Sequence, residues 1–144
     1  AALVFLNGWL DLVDGALARR QGVDSTAGDL LDHVLDRYAD IVVIAGLAAG
    51  REAYLLGFLA VTGVVMTSYL GTPAQAVGPE RVYGGPVGPA DRLAIIGVAT
   101  AVAAVVSTPI AGGLTVVSWL LVFLAVVGHV TALQRFYGSM RALA

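Results

Sequence analysis

Apolar runs of bilayer-spanning length dominate this chain and leave few architectures open to it. A helix needs about 20 mostly apolar residues to cross the hydrocarbon core. Five stretches approach that length, at roughly 1–19, 30–49, 53–71, 90–108 and 112–137. The runs are long and do not alternate with period two, which predicts helices and argues against a barrel. The expected fold is all-α: an integral membrane helix bundle with five visible transmembrane helices, forming one domain over residues 1–144. At 58% hydrophobic and 12% charged residues, with a mean hydropathy of +0.87, the chain is too apolar for an ordinary soluble domain.

The connections differ in character. Residues 20–29 are polar, 50–52 make a tight Gly-Arg-Glu turn, and 72–89 form the one long connection, rich in Gly and Pro. Residue 1 is an alanine that opens directly into an apolar run with no basic segment before it, so the first position reads as an internal start. A further N-terminal helix is expected ahead of it. All eight basic residues are arginine. In the expected topology Arg19, Arg20, Arg81, Arg92, Arg135 and Arg141 fall on one side and Arg51 on the other, which predicts that loops 20–29 and 72–89 face the cytoplasm. A net charge of -2 without a basic run excludes a nucleic-acid partner, and the absence of cysteine excludes disulfides and thiolate metal sites.

Against this apolar background, residues 11–36 read DLVDGALARRQGVDSTAGDLLDHVLD. Carboxylates at membrane depth are costly and usually mark a site. Asp11 and Asp14 stand three residues apart and Asp32 and Asp36 four apart, so each pair projects from one face of its own helix. A short loop makes the two helices antiparallel neighbours, and four carboxylates then converge. Their mutual repulsion calls for positive charge between them. An all-oxygen donor set without Cys or a convincing His suits Mg²⁺, with Mn²⁺ as the alternative, better than zinc. Four carboxylates balance two divalent ions, and Arg19 and Arg20 add charge for a diphosphate. Gly15 and Ala18 lie beyond Asp11 on one strip, and Gly28 lies one turn before Asp32; all three let a ligand approach the backbone.

This pattern resembles the signature of the CDP-alcohol phosphotransferase family: D, two residues, DG, two residues, AR, eight residues, G, three residues, D, three residues, D. Here Asp11, Asp14, Gly15, Ala18, Arg19, Gly28, Asp32 and Asp36 fill every specified position. The resemblance implies a six-helix membrane fold, of which the first helix is missing here. It implies that the four aspartates hold two metal ions on the diphosphate of a CDP-lipid donor. It also implies that Gly15, Ala18, Arg19 and Gly28 contact the cytidine nucleotide and that Asp36 is the general base toward a polar alcohol acceptor. The implied reaction moves a phosphatidyl-type group to an alcohol such as inositol phosphate or glycerol phosphate and releases CMP. The implied setting is the bilayer of the cell membrane, with the site facing the cytoplasm; a homodimer is compatible with such a bundle.

Other readings stand beside this one. Asp40 continues the Asp32–Asp36 face but falls outside the signature, and reads as a partner for Arg37 or Arg20. His33 lies off the acidic face and reads as a residue that supports the site from behind or packs, His129 as a satisfied interior histidine, and Asn7 equally as a group reaching toward the site or a helix-packing polar group. In the resembling family, members that use inositol phosphate carry basic residues just after a Ser-Tyr pair. Here Ser68 and Tyr69 are followed by Gly71, Pro73 and Gln75, which weighs against that acceptor unless Arg81 or Arg92 supplies the charge. A cation or proton transporter would also use intramembrane carboxylates, but the aspartates cluster at one side and 90–137 contains no acid beyond Asp91. A prenyl-diphosphate transferase would use aspartates and Mg²⁺ without explaining the DG, AR and G positions.

Overall fold

The computed structural model describes residues 26–77 and 89–143. Within them the chain forms four helices: α1 (Thr26–Ala49), α2 (Tyr54–Val77), α3 (Pro89–Val105) and α4 (Val116–Leu143). Among the described residues there is no strand beyond a single bridge between Ala111 and Leu114. Among the described residues two segments are long and apolar enough to cross a membrane, Tyr54–Gly71 in α2 and Val116–Arg141 in α4, whereas the expectation was five over the chain. The first expected span lies outside the described residues. α1 carries Asp29, Asp32, Asp36, Arg37 and Asp40 in its N-terminal part, and α3 has only 17 residues.

The helix limits also differ from expectation. α1 begins at Thr26, so Gly28 and Asp29 belong to a helix and not to a polar loop. α2 runs past Ser68 and Tyr69, through Pro73, to Val77. A proline inside a helix loses one backbone bond, but apolar surroundings favour closing every other one within the helix. Pro89 opens α3, where its missing N–H has no intrahelical partner to lose.

Turns set the antiparallel order. α1 and α2 are joined by a tight corner in which Ala53 N–H donates to the Ala48 carbonyl at 2.9 Å and Glu52 takes a left-handed φ of 52°. Gly57 packs so closely on Ala48 there that a Cβ at 57 would collide with the Ala48 methyl. Before α4, Gly112 and Gly113 both have positive φ, 57° and 74°, which closes a two-residue turn between Ala111 and Leu114. Thr115 then caps α4, its Oγ1 accepting from Ser118 N–H at 3.4 Å.

The deepest contact is the crossing of α2 on α4. A Cβ on Gly128 would come within 2.7 Å of the Gly63 carbonyl carbon, so the two backbones touch. The Thr67 hydroxyl seals the crossing by donating to the carbonyls of Gly128 (2.7 Å) and Gly63 (2.9 Å). Ile44, Ala60, Val64, Ile96, Leu121 and Leu124 fill the core around it. The outer faces invert the soluble pattern: Leu55 is 72% exposed and Val98 65%, whereas Thr67, Arg92, Ser118 and Thr131 are buried.

Candidate functional site

α1 presents Gly28, Asp32, Asp36 and Asp40 on successive turns of one face, spaced four residues apart. Exposure falls along this stripe. Gly28 and Asp32 are exposed, the Asp36 side chain is 40% accessible, and that of Asp40 only 14%. The outer two carboxylates are open to a ligand, and the innermost is taken up by protein. Arg92 of α3, itself 5% exposed, grips Asp40 with two bonds, Nε to Oδ1 at 3.1 Å and Nη2 to Oδ2 at 2.5 Å. This bidentate, planar match is the strongest form a side-chain ion pair takes.

Arg37 stands between the open and closed parts of the stripe. Its Nη2 lies 3.5 Å from Oδ2 of both Asp36 and Asp40, and its Nη1 donates to Ser68 Oγ on α2. Ser68 passes its own hydroxyl hydrogen to the Val64 carbonyl at 3.2 Å. One residue earlier on α2, the Thr67 carbonyl accepts from Arg135 Nη1 of α4 at 2.7 Å. A Cβ at Gly71 would lie 2.8 Å from the same Arg135 nitrogen, so the glycine leaves the space that this guanidinium fills. Three arginines from three helices therefore gather beside the acidic stripe, at the end of the bundle opposite Arg51.

Of the residues expected to form the site, Gly28, Asp32 and Asp36 share one face as the sequence implied. Asp11, Asp14, Gly15, Ala18 and Arg19 lie outside the described residues. Among the described residues no three acidic or histidine side chains form a metal-sized group, and two of the four expected ligands are not among them. Asp32 and Asp36 do suit a hard divalent cation, being carboxylates one turn apart on an accessible face. Asp40 meets Arg37 as expected, but its main partner is Arg92, one of two arginines the sequence offered as a source of charge for a phosphate. A separation of 52 residues leaves no local signal for that pair. His129 is a half-buried residue whose Nε2 sits 3.4 Å from Thr62 Oγ1, in keeping with an interior, partnered histidine. His33 lies at the exposed end of α1.

The family model described as CDP-alcohol phosphatidyltransferase matches residues 1–131. The chain belongs to this family. It is 40% identical over 85 residues to an archaetidylinositol phosphate synthase of Methanothermobacter thermautotrophicus, a match covering 58% of this chain and 44% of that protein. It is 34% identical over 134 residues to a phosphatidylinositol phosphate synthase of Mycolicibacterium smegmatis, covering 88% of this chain and 59% of the relative. A bifunctional IPC transferase and DIPP synthase of Rubrobacter xylanophilus is 42% identical over 71 residues, covering 47% of this chain and 16% of its own length. The chain thus spans about half the length, or less, of the first curated relatives it matches.

Proposed function

We propose that this chain is the membrane catalytic core of a transferase that moves a phosphatidyl-type group, built on diacylglycerol or archaeol, from a CDP-lipid to inositol phosphate with release of CMP. The observation that carries the reading is the graded stripe of α1: two signature carboxylates, Asp32 and Asp36, open to a ligand beside a cluster of arginines. In this reading Asp11, Asp14, Asp32 and Asp36 hold two Mg²⁺ ions, which would neutralise the donor diphosphate. Gly15, Ala18, Arg19 and Gly28 seat the cytidine nucleotide. Asp36 takes the proton of the acceptor hydroxyl as its oxygen bonds to the lipid-bearing phosphorus, while the bond from that phosphorus to CMP breaks and CMP leaves with the electron pair.

The inositol phosphate acceptor rests on the names of the relatives and on the placement of Arg135. The basic residues missing after Tyr69 find a substitute in this guanidinium, which α4 delivers into the space above Gly71. Arg135→Ala is therefore expected to raise the KM for inositol phosphate by about tenfold or more while leaving that for the CDP-lipid within about twofold, the loss of one charge-assisted contact. The exposed apolar flanks of α2, α3 and α4 support a bilayer setting, and the arginine asymmetry supports a cell-membrane protein whose site faces the cytoplasm.

The deciding experiment is CMP release in nanodiscs, with CDP-diacylglycerol and CDP-archaeol each offered inositol phosphate, glycerol phosphate and serine. Release with inositol phosphate alone supports the reading, release with another acceptor reassigns the substrate, and no release with any pair overturns it. The same assay on species separated by mass assigns activity to the monomer or to a homodimer.

A further inference from the structure

We propose that the small cavity lined by α2, α3 and α4 binds a single ordered water that joins Thr131 to the Arg92–Asp40 pair. Thr131 is 1% exposed, and its Oγ1 is a buried polar atom with no hydrogen-bond partner. A hydroxyl left bare in a protein interior is costly, and buried polar atoms are satisfied in the great majority of structures. Threonines within helices commonly return their hydroxyl to a backbone carbonyl one turn back, as Thr62, Thr67 and Thr100 all do here. Thr131 departs from that habit and instead lines a cavity of about 20 Å³. One water needs about 10–15 Å³ measured in this way, together with two to four polar partners.

The lining meets both requirements. Thr67, Arg92 and Thr131 face the space, with Val64, Phe123 and Leu124 forming apolar walls. Each polar member has a defined role left for a water. Arg92 spends two of its five N–H donors on Asp40, and a guanidinium can only donate. The Thr67 hydroxyl hydrogen is committed to backbone carbonyls, so its oxygen can only accept. Thr131 can donate or accept. A water placed among them accepts from Arg92 and from Thr131 and donates to Thr67, three bonds in all, which is the usual complement of a buried water. The consequence is structural reach: α4 gains a polar link to the arginine that anchors the acidic helix α1.

Stability measurements on two variants separate this from a dry cavity. Thr131→Val keeps the shape and removes the hydroxyl; Thr131→Ser keeps the hydroxyl and removes a methyl. With a bound water, Thr131→Val lowers the apparent Tm by about 3–8 °C and Thr131→Ser lowers it less. With a dry cavity, Thr131→Val relieves an unsatisfied group and matches or exceeds the wild type, while Thr131→Ser falls below it; that order overturns the proposal. A density map of the wild-type protein at about 1.8 Å or better is an independent check, because it does not depend on either variant folding. A peak within hydrogen-bond distance of Thr131 Oγ1 and Arg92 is expected. A clean, empty cavity at that resolution eliminates the water.

Discussion

Asp36 sits at the half-open middle of the acidic stripe, where one oxygen already faces Arg37 at 3.5 Å and the side chain remains 40% accessible. That position suits a base that must meet an incoming hydroxyl while being held from behind. Asp36→Asn preserves shape and removes the proton acceptor. We expect donor affinity in the presence of Mg²⁺ to stay within about tenfold of wild type while kcat falls at least about a hundredfold, the ordinary worth of a positioned base. Donor Kd and single-turnover rate measured on one preparation check this. Joint collapse of both would make Asp36 chiefly a metal ligand. Asp32 and Asp40, two turns apart on the same face, should behave in opposite ways. Asp32→Asn should weaken Mn²⁺ binding in isothermal titration, because it removes charge from an exposed position proposed to hold the metal. Asp40→Asn should leave Mn²⁺ affinity intact but lower thermal stability, because it strands the buried Arg92 charge, a loss of about 3–5 kcal/mol for such pairs. Weakened Mn²⁺ binding in Asp40→Asn would instead make Asp40 a metal ligand.

At the scale of elements, the contact between α2 and α4 is set by what is missing from the side chains. Gly63 and Gly128 let the backbones meet, and Thr67 then reaches a carbonyl on the neighbouring helix. Neither helix has much of a hydrophobic drive to leave lipid for its neighbour, so close van der Waals contact and interhelical bonds must hold the pair. Gly128→Ala places a methyl 2.7 Å from the Gly63 backbone and should cost about 1–3 kcal/mol, since no rotamer can move it away. Gly97→Ala is the control: its added methyl meets nothing within 4 Å, and the better helix former should leave stability unchanged or raise it. Comparable thermal losses in the two variants would remove the crossing as the explanation. The glycines at 63 and 128 look no different in sequence from those at 46 and 97; only the facing helix distinguishes them.

Across the whole molecule, Arg37, Arg92 and Arg135 gather at one end and Arg51 stands at the corner between α1 and α2 at the other. Under the rule that arginine is retained on the cytoplasmic side, this distribution is the ground for the proposed inward orientation of the acidic stripe. Single-cysteine variants Ser25→Cys and Pro109→Cys, labelled with an impermeant maleimide on intact cells, should react on opposite sides, only Pro109→Cys being accessible from outside. Equal labelling of both would contradict the orientation.

The carboxylates at 32 and 36 and the glycine at 28 could be placed on one helix face from spacing alone, because a helix repeats every 3.6 residues whatever surrounds it. The length of the apolar runs likewise foretold an all-helical chain, since a backbone without water must satisfy itself. The family signature was legible for the same reason: its spacing is local. Helix ends were less so. The stop expected near Tyr69 and Gly71 gave way to two further turns, through a proline that would end most helices in water. What tertiary structure alone decided is which charges are spent and which are free. Asp32, Asp36 and Asp40 are the same residue on the same face, yet the bundle leaves the first open and buries the third against an arginine 52 positions away. It also turned Gly71 from an apparent loss of basic charge into the space where Arg135 stands. A carboxylate's role depends on the charge and solvent around it, and those are properties of the packed helices.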